Sequence, residues 1–197
     1  MTEPAEREIE LMTALARLRQ RLADATEAVG RRPVDVELLA VTKFFPASDV
    51  AILCRLGCRA FGEAREQEAS RKVAEVFELT KALVPEDDER PITWHMVGQI
   101  QRNKAKSIAA WADTVHSVSS ARVVTALDRA AGSALAEGVR AAPLGVYVQL
   151  SLDQDTERGG VDVDDPAAVD ALCDQVAGAP GLRLVGVMGI PPLQADP

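Results

Sequence analysis

Lys43 closes a short apolar run, Val36-Glu37-Leu38-Leu39-Ala40-Val41-Thr42-Lys43, which is bounded by Pro46 and too short for a helix. Read as a buried strand, the run places Lys43 on the face of Leu39 and Val41, because side chains alternate along a strand. Such a lysine has two readings. It is a strand-end charge reaching water, or an amine held partly out of water, whose lowered pKa lets the neutral form attack a carbonyl and make a Schiff base. Other polar groups stand at the ends of apolar runs: Glu63, His95, His116 with Ser117, Gln149 with Ser151, and Met188 with Gly189. Each has a plain alternative, since a single histidine within a strand is commonly a hydrogen-bonded core residue. Cys54 and Cys58 are read as buried apolar cysteines, because only His95 and His116 could complete a metal site with them.

Several chemistries find no support in the residues. Gly159-Gly160 lacks the following lysine of a phosphate loop, and no Gly-x-Ser-x-Gly elbow occurs, which disfavours nucleotide hydrolysis and hydrolase chemistry. The 22 basic residues against 30 acidic ones leave a net charge of −8, unfavourable for a general polyanion binder. Arg102, Lys104 and Lys106 read as the solvated face of a helix. The chain has 2 Trp, 1 Tyr and 4 Phe, too few for a base-stacking platform, so no nucleic-acid partner is expected. Three cysteines without a secretory leader, and no run of roughly 18 apolar residues, point to a cytoplasmic protein without a membrane partner.

The elements that must position these groups follow from periodicity. Leu11, Leu15, Leu18, Leu22, Ala25 and Val29 form one helical stripe, which Gly30 stops. Beyond residue 36, strands are expected at 36–43, 58–63, 92–97, 114–118, 145–152 and 183–190. Helices are expected at 48–56, 65–83, 101–111, after Ser119 or Ser120, and from Pro166, with a solvated loop at 85–91. Six strands separated by helices make βα units with parallel pairing, hence an α/β fold, as a doubly wound sheet or a (βα) barrel. In both, ligands bind at the carboxyl ends of the strands, where Lys43 and its companions lie. No linker divides the chain, so residues 1–197 are expected to be a single domain, with a packing helix over 1–30 and βα units over 36–193.

Four segments carry a family resemblance. They are Leu38-Leu39-Ala40-Val41-Thr42-Lys43-Phe44-Phe45-Pro46-Ala47, Phe61-Gly62-Glu63-Ala64-Arg65-Glu66-Gln67-Glu68, Trp94-His95-Met96-Val97-Gly98-Gln99-Ile100-Gln101-Arg102-Asn103-Lys104 and Val185-Gly186-Val187-Met188-Gly189-Ile190-Pro191. With His116-Ser117-Val118, Val148-Gln149-Leu150-Ser151 and Arg158-Gly159-Gly160, they resemble the pyridoxal phosphate homeostasis protein family from residue 36 to about 193. The resemblance implies a parallel (βα)8 TIM-type barrel of the alanine racemase N-terminal kind, of which about six βα units are present here. It implies pyridoxal 5′-phosphate held as an aldimine on Lys43, with Val41, Ala64, His95, Ser117 and Met188 around the cofactor and no metal. The implied role is cofactor carriage and homeostasis without robust catalysis, by a monomer whose recipients are pyridoxal phosphate-dependent apoenzymes. A racemase or related amino-acid enzyme using Lys43 as base is the alternative. Two departures stand out: Ala64 replaces the family's Asn, and the family continues with two further βα units that supply most of the phosphate cradle. An unclosed remnant is expected to expose strand edges and apolar faces.

Overall fold

The computed structural model describes residues 4–81, 91–152 and 159–191. They fall into two compact units, one drawn from residues 1–62 and 71–92, the other from 63–70 and 93–197.

The first unit opens with α1 (Pro4–Ala28), followed by a 3-10 turn (Pro33–Asp35), β1 (Ala40–Val41), α2 (Ala47–Arg55) and most of β2 (Ala60–Glu63). It ends with the C-terminal part of α3 (Glu66–Thr80). β1 and β2 run parallel, with Ala40 opposite Phe61 and Val41 opposite Gly62. Phe61, Val50, Cys54 and Val76 are buried. The expected helical stripe on α1 is only partly used: Leu15 is buried, whereas Leu18 and Val29 are exposed. Near its start α1 is tied to α2 through Arg7 to Asp49 at 2.7 Å and Glu8 to Arg55 at 2.8 Å, and near its end the buried residue is Thr26, off the expected stripe.

The strand expected over 36–43 shrinks to two residues, and Val41 is 45% exposed rather than buried. Leu38, Leu39 and Val41 instead line an apolar cleft of about 270 Å³ with Leu11, Leu15 and Leu18 of α1. An apolar run short enough for a buried strand serves equally well as the wall of a cleft, and periodicity does not separate the two.

The second unit is a run of parallel strands with intervening helices. It contains β3 (Thr93–Met96), a 3-10 turn (Arg102–Lys104) leading into α4 (Ala105–Trp111), β4 (Thr114–Val118), α5 (Ala121–Ala136) and β5 (Leu144–Ser151). β6 (Val161–Asp162), α6 (Pro166–Ala177) and β7 (Leu182–Gly189) complete it. β3 pairs with β4, β4 with β5, and both β6 and β7 with β5, all in parallel. Val115, Val118, Leu127, Leu144, Val146 and Val148 are fully buried between this sheet and its helices. As the sequence predicts, Pro166 opens α6 at its first turn; Asp165 caps it by accepting the Ala168 N–H at 3.0 Å.

Parallel strands linked by helices make this an α/β fold, as expected. β6 was not anticipated, because two residues carry no periodic signal. The remaining expected strands lie within two residues of those observed at either end, while the loop expected at 85–91 lies almost wholly outside the described residues. On β7, Val185 and Val187 are 37% and 52% exposed.

Candidate functional site

In the first unit, β1 runs directly into the turn that carries Lys43. Thr42 donates its N–H to the Gly62 carbonyl at 2.8 Å and accepts the Phe45 N–H at 3.1 Å, which closes a four-residue turn over Lys43 and Phe44. Phe44 has a φ of +72°, in the left-handed region, at the position a type II turn ordinarily gives to glycine or asparagine. For a bulky side chain this conformation costs about 1–3 kcal/mol and persists only where the surroundings impose it. Lys43 is exposed, its Nζ 5.8 Å from the centre of the Phe44 ring. The lysine is thus presented by a strained turn past the strand end, not by a strand face shared with Leu39 and Val41. Behind it, the Arg7 guanidinium lies 5.9 Å from the centre of the Phe45 ring while bonding Asp49, whose side chain is nearly buried at the first turn of α2. Asp49 holds the Arg7 pKa above its ordinary value, chiefly by hydrogen bonding.

In the second unit, three rings cross neighbouring strands on one face. His95 Nδ1 lies 2.9 Å from His116 Nε2, so one imidazole donates to the other, and His116 stacks on Tyr147 with centroids 4.6 Å apart and planes 27° from parallel. Burial, with the neighbouring His95 second, pushes the His116 pKa down to about 4, so this ring is neutral at pH 7. His95 is opposite Thr114 and Thr114 opposite Gly145; His116 lies where the β4–β5 register shifts by one residue, between the Val115–Val146 and Val118–Val148 pairs, and its ring meets Tyr147 there. Tyr147 was not singled out from the sequence; only strand alignment reveals it.

The other expected residues of this unit are placed separately. Ser117 donates its hydroxyl to the Val97 carbonyl at 3.0 Å. Ala64 is half-buried and packs against Gly98, where a Cβ would fall 2.7 Å from the Ala64 carbonyl carbon. Met188 is half-buried on β7, in register with the buried Gln149, whose amide donates to the Gly159 carbonyl at 3.2 Å. Gly160 (φ +117°) lies so close to the end of β5 that a Cβ would approach the Ser151 nitrogen to 2.6 Å, which accounts for the glycine pair there. Arg158 lies outside the described residues. Lys104 is not simply solvated: its ammonium lies 3.4 Å from Glu66, which also receives the Ser107 hydroxyl.

Cys54 and Cys58 are buried, and burial raises the Cys54 thiol to about 11. Among the described residues no three His, Cys, Asp or Glu side chains converge as metal ligands, and no helix is long and apolar enough to cross a membrane.

Residues 13–197 match the family described as alanine racemase, N-terminal domain. The chain is 60% identical over 192 residues to the pyridoxal phosphate homeostasis protein of Mycobacterium bovis, covering 98% of this chain and 74% of that protein. It is 31% identical over 182 residues to the protein of the same name from Escherichia coli K12, covering 92% and 70%. Among solved structures, PipY of Synechococcus elongatus with pyridoxal phosphate bound superimposes with a TM-score of 0.70 at 31% identity, over 94% of this chain and 72% of PipY. With its Lys43 motif, its parallel strands and relatives that cover nearly its whole length, the chain belongs to the pyridoxal phosphate homeostasis protein family, within the alanine racemase N-terminal domain family.

Proposed function

We propose that this protein holds pyridoxal 5′-phosphate on Lys43 and serves as a cofactor carrier in cellular homeostasis rather than as an enzyme. The observation that carries this reading is the turn from Thr42 to Phe45: an exposed primary amine, presented by a strained backbone at the carboxyl end of a parallel strand. Lys43 reaches water, so it is not the partly desolvated amine that the strand reading offered; what supports an aldehyde partner is its access and its presentation by a strained turn. When bound, the cofactor supplies an electrophilic carbonyl and an electron-accepting ring. On the protein's side, Val41 leads into the turn. Ala64, His95, Ser117 and Met188 are the further residues assigned to the cofactor, with His95 oriented by His116. Relatives at 31–60% identity bear the homeostasis name, which favours the carrier over a racemase using Lys43 as base. We place the protein in the cytoplasm as a monomer, with pyridoxal phosphate-dependent apoenzymes as recipients.

The test is direct. Pyridoxal phosphate is added to the wild type and to Lys43→Ala, absorbance at the visible edge is recorded, and borohydride fixation locates the added mass. A spectral change and mass on the Lys43 peptide are expected for the wild type only; identical spectra for both proteins would sink the assignment. Lys43-dependent exchange of the α-proton of an L-amino acid in deuterated water would favour the enzyme instead.

A further inference from the structure

Thr42 is held at every backbone atom that can hydrogen-bond. Besides its links to Gly62 and Phe45, its carbonyl accepts a bond from Lys72 Nζ at 2.9 Å. Thr42 is 4% exposed and Lys72 9%. Lys72 reaches it from α3, within the same compact unit. An ammonium removed from water to this degree is costly unless it is hydrogen-bonded, so the contact is not a casual surface bond.

This carbonyl is also the first residue of the strained turn. The Phe44 ring is 68% exposed, so its burial contributes little toward holding φ at +72°. What fixes the turn is its two ends. On one side Pro46, with φ −72°, opens α2; on the other stands the Thr42 carbonyl, gripped by the Phe45 amide and by Lys72. If that carbonyl were free to rotate, the turn could relax toward an unstrained conformation, and the direction of the Lys43 side chain would change with it.

The geometry points to Lys72 as a positioning residue for Lys43: its buried ammonium clamps the Thr42 carbonyl and thereby keeps the strained turn that presents the reactive amine. The consequence for the cofactor rests on the proposed function above, whereas the clamp itself does not.

Two substitutions and one measurement on the wild type test it. Lys72→Met keeps the aliphatic stem and removes the donor, and Lys72→Arg restores a cationic donor. Amide hydrogen exchange at Phe45 is read by NMR without cofactor, and pyridoxal phosphate affinity by absorbance titration. In Lys72→Met, Phe45 exchange is expected to rise about tenfold and affinity to fall about tenfold, with Lys72→Arg recovering most of both. Unchanged Phe45 exchange in folded Lys72→Met overturns the clamp, even if cofactor uptake is lost. Wild-type protein that takes no cofactor on Lys43 defeats the functional reading and leaves the exchange measurement to decide the clamp. Should Lys72→Met fail to fold, the wild type still decides: slowly exchanging Lys72 ammonium protons coupled to the Thr42 carbonyl carbon are expected, and absence of that coupling overturns the proposal.

Discussion

Acid should loosen the second unit through His116. Its pKa is about 4 in the folded chain against an ordinary 6.5, because burial and the neighbouring His95 disfavour the imidazolium. Between these values the unfolded chain binds a proton that the folded chain refuses, so stability rises with pH across the window. The contribution is fully present above pH 6.5 and is lost as pH falls toward 4. Taken at face value, the two pKa values give a loss of about 2 kcal/mol between pH 8 and pH 5. The ring is only half-buried, and solvent screening brings this to about 1 kcal/mol. For a chain of this length that is a fall in Tm of about 2–4 °C. The assay is thermal unfolding from pH 8 to pH 5 for the wild type and for His116→Gln, which stays neutral throughout. His116→Gln should lose this part of the pH dependence. A His116 ring that titrates near 6.5 by NMR, or pH slopes that coincide in the two proteins, would refute the reasoning.

Two further substitutions probe the supports of the candidate site. Gly98→Ala would place a Cβ 2.8 Å from the Ala64 Cα and nearer still to its carbonyl oxygen, all backbone that cannot swing aside; a loss of about 3 kcal/mol or more is expected in denaturant unfolding, and a change below 1 kcal/mol would contradict the close approach. Arg7→Met leaves the nearly buried Asp49 carboxylate without its bidentate partner and should cost about 2 kcal/mol, with recovery when Asp49→Asn is added. No recovery in the double variant would mean that Arg7 acts through packing on Phe45 instead.

Much of the second unit could be read from the sequence because its strands alternate regularly with helices. Pro166 after Asp165 marks a helix start by fixed φ and a side-chain cap, and Leu144–Ser151 is long, β-branched and apolar enough to admit one assignment. α1 misled for the opposite reason. A leucine stripe states that a helix can bury a face, not how far its neighbour extends, and Leu18 is exposed while Thr26, bonding back to the Leu22 and Ala23 carbonyls, is buried. Likewise, His95 and His116 were visible as residue types, but their bond and the stack on Tyr147 depend on strand register, which no local pattern encodes.

The Lys43 turn shows where sequence reading stops. Its lysine drew notice because of its place after an apolar run, yet the feature that presents it is invisible in residue preferences. Left-handed backbone is normally advertised by glycine or asparagine, and here Phe44 occupies it. The compensation comes from Lys72 on α3, distant in sequence and an ordinary surface type in a residue-by-residue reading. A turn residue that contradicts local preference must be held by something non-local, since the strain would otherwise relax. The mismatch at Phe44 therefore implies long-range partners, and the buried lysine on the Thr42 carbonyl is the partner that physical reasoning requires.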